Sequence, residues 1–158
     1  MSEKELDHVF MWTDGSSVKK KYSEGFHGGS GCYLECNGKT REISNSIEDG
    51  TNNISELSAC IHGLQALKKV CKVTLYTDSQ YSISCITKWY SGWKRRGWKT
   101  ASGGEIKNLH LIHELYQLCH KHNVELVWVK GHNGDLGNEK ADELACVASK
   151  SLKDKEEK

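Results

Sequence analysis

Val9-Phe10-Met11-Trp12-Thr13-Asp14-Gly15-Ser16 is a short apolar run brought to a stop by an acid and a glycine. It reads as a buried strand ending in a turn. Val73-Thr74-Leu75-Tyr76-Thr77-Asp78-Ser79 repeats the pattern farther along. Between the two, residues 19–31 form a polar, glycine-rich stretch that predicts a loop. Cys32 to Cys36 and Thr40 to Ile47 then flank Asn37-Gly38, a strong hairpin signal. Thr51-Asn52-Asn53 offers helix-capping side chains, and Leu57, Cys60, Ile61, Leu64 and Leu67 follow at helical spacing. Helical segments are predicted from Ser79 to Tyr90. Residues 91–104, basic, aromatic and glycine-punctuated, predict a protrusion or a short helix plus loop. A helix marked by Ile106, Leu109, Ile112 and Tyr116, a strand over Val124 to Lys130 and a helix over Gly137 to Lys150 complete the series. The order β-β-β-α-β-α-α-β-α predicts an α/β fold. Its five-stranded mixed sheet has three antiparallel strands, then two parallel ones, with helices on both faces.

The chain has 158 residues, 37% hydrophobic and 27% charged, which suits one compact domain. Residues 1–7 are expected to be a flexible N-terminus, 8–150 the folded domain and 151–158 a charged, disordered tail. No stretch is long and apolar enough for a membrane helix, and the polar N-terminus is unlike a signal peptide. A cytoplasmic protein without a membrane or an obligate protein partner, acting as a monomer, is expected. The net charge is only +1, so an argument for nucleic-acid binding must rest on where the charges sit. Seven cysteines without an export signal fit a reducing compartment, where they act as small buried hydrophobes. A zinc site from Cys32 and Cys36 with His120 or His122 is disfavoured, because the spacing is not C-x-x-C and no second pair accompanies it.

The informative residues are the acids. Functional groups gather at the carboxyl ends of strands in open α/β sheets. Asp14 and Asp78, placed there by adjacent strands, would repel unless a cation lay between them. Oxygen-only ligands suit Mg²⁺ or Mn²⁺. A single strand-end aspartate is ordinarily a turn residue. The pair is harder to dismiss, and Glu56, in the first turn of its helix, and Asp142, inside the last helix, strengthen it.

Thr13-Asp14-Gly15-Ser16, Thr51-Asn52-Asn53-Ile54-Ser55-Glu56 and Thr77-Asp78-Ser79-Gln80-Tyr81 occur here in that order. Ile86-Thr87-Lys88-Trp89, Trp93-Lys94-Arg95-Arg96-Gly97-Trp98-Lys99-Thr100 and Trp128-Val129-Lys130-Gly131-His132 follow. Asn138-Glu139 and Ala141-Asp142-Glu143-Leu144-Ala145 close the series. Taken together, from about Phe10 to Ala148, the chain resembles the small, single-domain ribonucleases H of cells and phages. The resemblance implies a ribonuclease H-like fold and hydrolysis of the RNA strand of RNA–DNA hybrids, leaving 5′-phosphate and 3′-hydroxyl ends. It implies that Asp14, Glu56, Asp78 and Asp142 hold two Mg²⁺ ions, or Mn²⁺ in their place, with Asp14 bridging. His132, in the loop before the last helix, would move a proton or help product leave. Glu139 matches an auxiliary acid, and is equally a helix-start acid favoured by the dipole.

For the hybrid, the resemblance implies that Asn52, Asn53 and Gln80 line the minor groove, where amides can bond a 2′-hydroxyl. Tyr81 and Trp89 match positions that stack on deoxyribose, and Thr51 and Asn108 match a grip on a DNA phosphate. Each also has a plain core or capping reading. Lys94, Arg95, Arg96 and Lys99 between Trp93 and Trp98 match the family's basic protrusion, and suit a backbone-binding arm better than a merely solvated face. One departure stands out: Ser17 to Gly28 is longer than the family's loop and lacks its RNA-contacting asparagine. A non-catalytic hybrid-binding module and an integrase-like strand-transfer enzyme are the alternatives on this fold. All four acids are present, which speaks against the first. The Trp-Lys-Arg-Arg-Gly-Trp-Lys arm and the Asn-Asn before Glu56 speak against the second.

Overall fold

The computed structural model describes residues 6–130 and 135–156. The elements are β1 (His8–Lys19), β2 (Phe26–Cys36), β3 (Lys39–Ile47), α1 (Asn52–Gln65), β4 (Lys72–Thr77), α2 (Gln80–Ser84), α3 (Tyr90–Arg95), α4 (Leu109–Lys121), β5 (Asn123–Trp128) and α5 (Leu136–Glu156). One sheet runs in the order β3-β2-β1-β4-β5. β1 pairs antiparallel with β2 and β2 with β3, while β1, β4 and β5 run parallel. The five-stranded mixed sheet and the sequence of elements along the chain are those expected; the spatial strand order comes from the structure.

Two boundaries differ in ways that bear on the site. β1 does not stop at Asp14-Gly15; it continues beside β2 to Lys19, and β2 starts at Phe26. The predicted 19–31 loop is therefore mostly strand, with the turn confined to residues 20–25. Glycines there suit strands that must lie under helices, as well as loops. At the other end, the tail expected to be disordered from residue 151 is helical through Glu156, because that carboxylate has partners on the β1–β2 turn. At the N-terminus, the Asp7 carbonyl accepts the Lys72 N–H at 2.9 Å and its carboxylate meets Lys69. The helical stretch from Ser79 runs on to Arg95 through a π-helical turn at Cys85–Trp89. α4 starts at Leu109, after Asn108 in the left-handed region (φ 61°).

One face of the sheet carries the core. Met11, Cys32 and Leu75 from the strands are fully buried with Leu57 and Leu64 of α1 and Ile112 and Leu115 of α4. The cysteines are all free, and Cys32, Cys60, Cys71 and Cys85 are buried among these residues. Cys32 donates its S–H to the Ala59 carbonyl at 3.0 Å, and burial pushes its thiol up to about 12. That is the behaviour of a core residue and not of a metal ligand.

The opposite face is covered by α5, which presents Ala141, Ala145 and Ala148 to Gly31 and Gly29 of β2. The approach leaves no room for a side chain: a Cβ on Gly31 would lie 2.1 Å from the Ala141 carbonyl oxygen. Ser44 and Ser46 of β3 fasten the helix further by donating to the Leu144 and Ala148 carbonyls at 2.7 and 2.8 Å. None of these helices is long and apolar enough to cross a membrane.

Candidate active site

The parallel ladder between β1 and β4 ends at the pair Thr13↔Thr77. The next residues, Asp14 and Asp78, therefore stand side by side. Asp14 is a mid-strand residue of β1, at the point where β1 loses β4 as a neighbour but keeps β2. The expected pairing of the two acids holds, though for a different reason than a shared strand end.

Glu56 reaches the same place from α1. Thr51 caps this helix, its hydroxyl accepting the Ile54 N–H at 3.3 Å. Asn52 is the first helical residue, so Glu56 opens the second turn and not the first. Gly15 permits the approach, since a Cβ there would lie 2.4 Å from the Glu56 backbone nitrogen. The Gly15 N–H donates to Asp14 Oδ1 at 2.9 Å and also to Glu56 Oε1. Carboxylate oxygens of Asp14, Glu56 and Asp78 all lie within 4.8 Å of one another, the one such group among the described residues.

Asp14 and Glu56 are buried, 7% and 5% exposed. Burial is the main cause that drives both carboxyls far above the ordinary carboxylate range; a hydrogen bond with Glu56 offsets part of this at Asp14, and the charges of the other nearby acids add to it at both. Acids this close and this dry bind protons unless a cation compensates them. The donor set is all oxygen, which fits Mg²⁺ or Mn²⁺ and does not fit a soft metal.

These acids floor a cleft of about 410 Å³ that is also lined by Gly15, Asn52, Asn53, Ser79, Gln80, Tyr81 and Asp142. Asp142, half-buried on α5, lines the cleft without belonging to the tight group of three. Glu139 lies in the first turn of α5, exposed and outside the lining. His132 lies outside the described residues. Ser79 and Gly15 were not singled out from the sequence. Ser79 caps α2 by accepting the Ser82 N–H at 3.1 Å, and a serine directly after a strand-end acid is a helix-start signal that pointed to it.

The remaining candidates lie to one side. Asn108 donates from its amide to the Tyr81 hydroxyl at 3.3 Å, and Tyr81 packs edge-on against the exposed Trp89. Trp89 in turn contacts Trp93 at 5.9 Å between ring centroids. An aromatic row thus leads from the cleft to the arm that carries Lys94, Arg95, Arg96 and Lys99, all exposed.

The arm is braced at its base. The Trp98 N–H bonds the Trp93 carbonyl at 2.7 Å and the Gly97 N–H the Lys94 carbonyl at 3.3 Å, the hydrogen-bond pattern of a Schellman ending to α3. Trp98 then packs on His113 and Tyr90, and Tyr90 stacks on Tyr116 at 3.6 Å. The α4 half of this brace is not legible in the sequence, where Tyr116 marks the helix and His113 carries no signal, because only the fold brings α4 under the arm.

A family model described as RNase H matches residues 7–150. The chain belongs to the ribonuclease H family. It is 49% identical over 149 residues to the ribonuclease H of Francisella tularensis subsp. novicida (strain U112), covering 94% of this chain and 95% of that one. The ribonuclease H of Francisella philomiragia subsp. philomiragia (strain ATCC 25017) is likewise 49% identical, over 92% of this chain and 93% of that one. Among solved structures, LC9-RNase H1, a type 1 RNase H with the type 2 active-site motif, has a TM-score of 0.81 at 32% identity. That match covers 92% of this chain and 74% of that one. The RNase H domain of PFV shares the fold, with a TM-score of 0.75 at 22% identity over 95% of this chain and 99% of that domain.

Proposed function

We propose that the protein hydrolyses the RNA strand of RNA–DNA hybrids. The observation that carries this reading is the convergence of Asp14, Glu56 and Asp78 at the floor of a cleft rimmed by amide side chains. Two Mg²⁺ ions, or Mn²⁺ in their place, held by Asp14, Glu56, Asp78 and Asp142, would supply Lewis-acid activation of the attacking water and stabilisation of the leaving oxygen. The chain's own residues do the rest. The Gly15 N–H holds the Asp14 and Glu56 carboxylates in fixed relation. Asn52, Asn53 and Gln80 each donate and accept hydrogen bonds, so they recognise the 2′-hydroxyls that distinguish RNA from DNA. Tyr81 and Trp89 offer a ring surface to the deoxyribose of the other strand, with Asn108 and the Thr51 side at a DNA phosphate. The arm carries cations for phosphate contacts beyond the cleft.

In the reaction, water adds its oxygen to the scissile phosphorus and the bond from phosphorus to the 3′-oxygen breaks. The leaving oxygen takes a proton, so the products carry 5′-phosphate and 3′-hydroxyl ends. His132 is assigned the movement of a proton in this step or in product release. The protein would act as a monomer in the cytoplasm. The test is to incubate labelled RNA–DNA hybrid, RNA duplex and DNA duplex with the protein and Mg²⁺. Cleavage of the RNA strand in the hybrid alone is expected; equal cleavage of the three duplexes, or none, refutes the reading.

A further inference from the structure

Glu156 is the last residue of α5, and its carboxylate turns back onto the β1–β2 hairpin. It accepts the backbone N–H groups of Lys21 at 3.1 Å and Tyr22 at 3.0 Å, and meets His27 Nε2 at 2.8 Å. The Tyr22 and Lys21 N–H groups, then the His27 ring, pull this carboxyl down to about 2. The carboxylate side chain is only 15% exposed, which is unusual for an acid at a helix end. The segment it grips lies within Ser17 to Gly28, the stretch that the sequence reading sets apart from the family's loop.

The hairpin is joined in turn to the rim of the cleft. Lys20 forms an ion pair with Asp49, and the turn is closed by the Lys20 N–H on the Gly25 carbonyl at 3.1 Å. At the base of β2, Gly28 packs on Gly50 so tightly that a Cβ there would lie 2.8 Å from the Gly50 Cα. Asp49 and Gly50 lead directly into Thr51, Asn52 and Asn53. Asp49 itself has φ 56°, a conformation that costs energy for a side-chain-bearing residue and persists only where neighbours hold it. A contiguous set of contacts therefore runs from the end of α5, through the hairpin, to the amides at the mouth of the active cleft.

Resting on the reading of that cleft as a hybrid-binding site, we propose that Glu156 is a positioning residue for substrate binding. By clamping the β1–β2 hairpin it holds the 49–53 segment where Asn52 and Asn53 meet the RNA strand. It touches neither the acids nor the substrate, so its loss acts on binding. A rim left loose must be ordered anew each time hybrid binds, which weakens binding without changing the chemical step.

The test compares wild type with Glu156→Ala and Glu156→Gln in steady-state cleavage of a labelled hybrid, and in ¹⁵N amide spectra of the metal-free proteins. Glu156→Ala is expected to raise KM about tenfold. Glu156→Gln, whose amide oxygen can still accept the Lys21 and Tyr22 N–H groups but which loses the charge and the acceptor facing His27, is expected to raise it about threefold, with kcat within about twofold of wild type for both. The amide resonances of Gly50, Asn52 and Asn53 are expected to shift in Glu156→Ala along with those of the hairpin. Should the alanine variant fail to fold, the glutamine variant is judged by the same two readouts. An unmoved KM in a folded variant, a fall in kcat at constant KM, or shifts confined to the hairpin and α5 would overturn the proposal. A wild type that leaves the hybrid intact overturns the functional reading as well; a wild type that cuts while the variants match it overturns the clamp alone.

Discussion

Asp14→Asn should abolish cleavage and yet make the metal-free protein more stable. The carboxylate oxygens of Asp14, Glu56 and Asp78 lie within 4.8 Å of one another. At that separation and an effective dielectric of about 20, one pair of charges repels by about 3.5 kcal/mol. Proton uptake relieves much of this, and the buried amide still needs hydrogen-bond partners, so a net gain of about 1–2 kcal/mol is expected, or about 3–6 °C in Tm. The pH dependence has a defined sign. Burial first raises the folded-state proton affinity of Asp14 and Glu56 above the ordinary value of about 4; Asp14 and Asp78 add to it at Glu56, while at Asp14 a hydrogen bond with Glu56 offsets part of it and Asp78 and Asp142 add. The folded protein then holds protons that the unfolded chain has released, and stability falls as pH rises from about 4 through the raised values. Asp14→Asn should flatten that decline. Saturating Mg²⁺ should reverse the ranking, since wild type gains about 2.7 kcal/mol at a hundred times Kd and the variant far less. The assay is thermal melting of both proteins at pH 5 and pH 8, in EDTA and in Mg²⁺. A variant less stable than wild type in EDTA at pH 8, or one that gains as much from Mg²⁺, would refute the electrostatic account.

Gly31→Ala should destabilise the protein by about 2–3 kcal/mol, because its Cβ would lie 2.1 Å from the Ala141 carbonyl and α5 must retreat; an unchanged urea midpoint would contradict this. Replacing Lys94, Arg95 and Arg96 together by alanine should raise KM and leave kcat intact. Three exposed cations are removed, so up to three phosphate contacts should be lost, lowering the salt slope of log K by about 2.1–2.7; parallel slopes would show that the arm does not touch the backbone. His122 is buried, accepts the Cys71 N–H on Nδ1 at 3.1 Å, and is held below the ordinary histidine value by burial and then Lys121. Its stabilising effect is therefore present above about pH 6.5 and lost as pH falls through the folded value, since the unfolded chain takes the proton first. His122→Asn, which keeps an acceptor, should show a smaller drop in urea midpoint from pH 8 to pH 5; an equal drop would place the pH sensitivity elsewhere.

What the sequence disclosed follows the range of the interactions involved. Val9 to Thr13 and Val73 to Thr77 are legible as strands, and Asn37-Gly38 as a turn, because apolar runs and turn residues act locally. Asp14 and Asp78 could be paired as soon as those strands were taken as neighbours. The end of β1 was misplaced, because Gly28, Gly29 and Gly31 look like loop residues; their need arises only when α1 and α5 press on β2 from either side. The helical extension to Glu156 was hidden for a similar reason. A charged tail with no apolar period gives no local signal, and its order depends on backbone donors in a turn at the other end of the chain. Trp93 and Trp98 are legible as part of the basic, aromatic arm, whereas the support that Tyr116 and His113 give beneath it is not, since nothing in α4 reveals which neighbour its face will meet.

The parallel pairing of β1 with β4 has a kinetic consequence. Asp14 and Asp78 become neighbours only after the chain has passed through the whole antiparallel hairpin region and α1 and returned alongside β1. Non-local parallel contacts of this kind form late in folding. A nascent chain with its hairpins and α1 already formed would still lack a cation site. Mg²⁺ should therefore leave the refolding rate nearly unchanged and appear almost entirely as a slower unfolding rate.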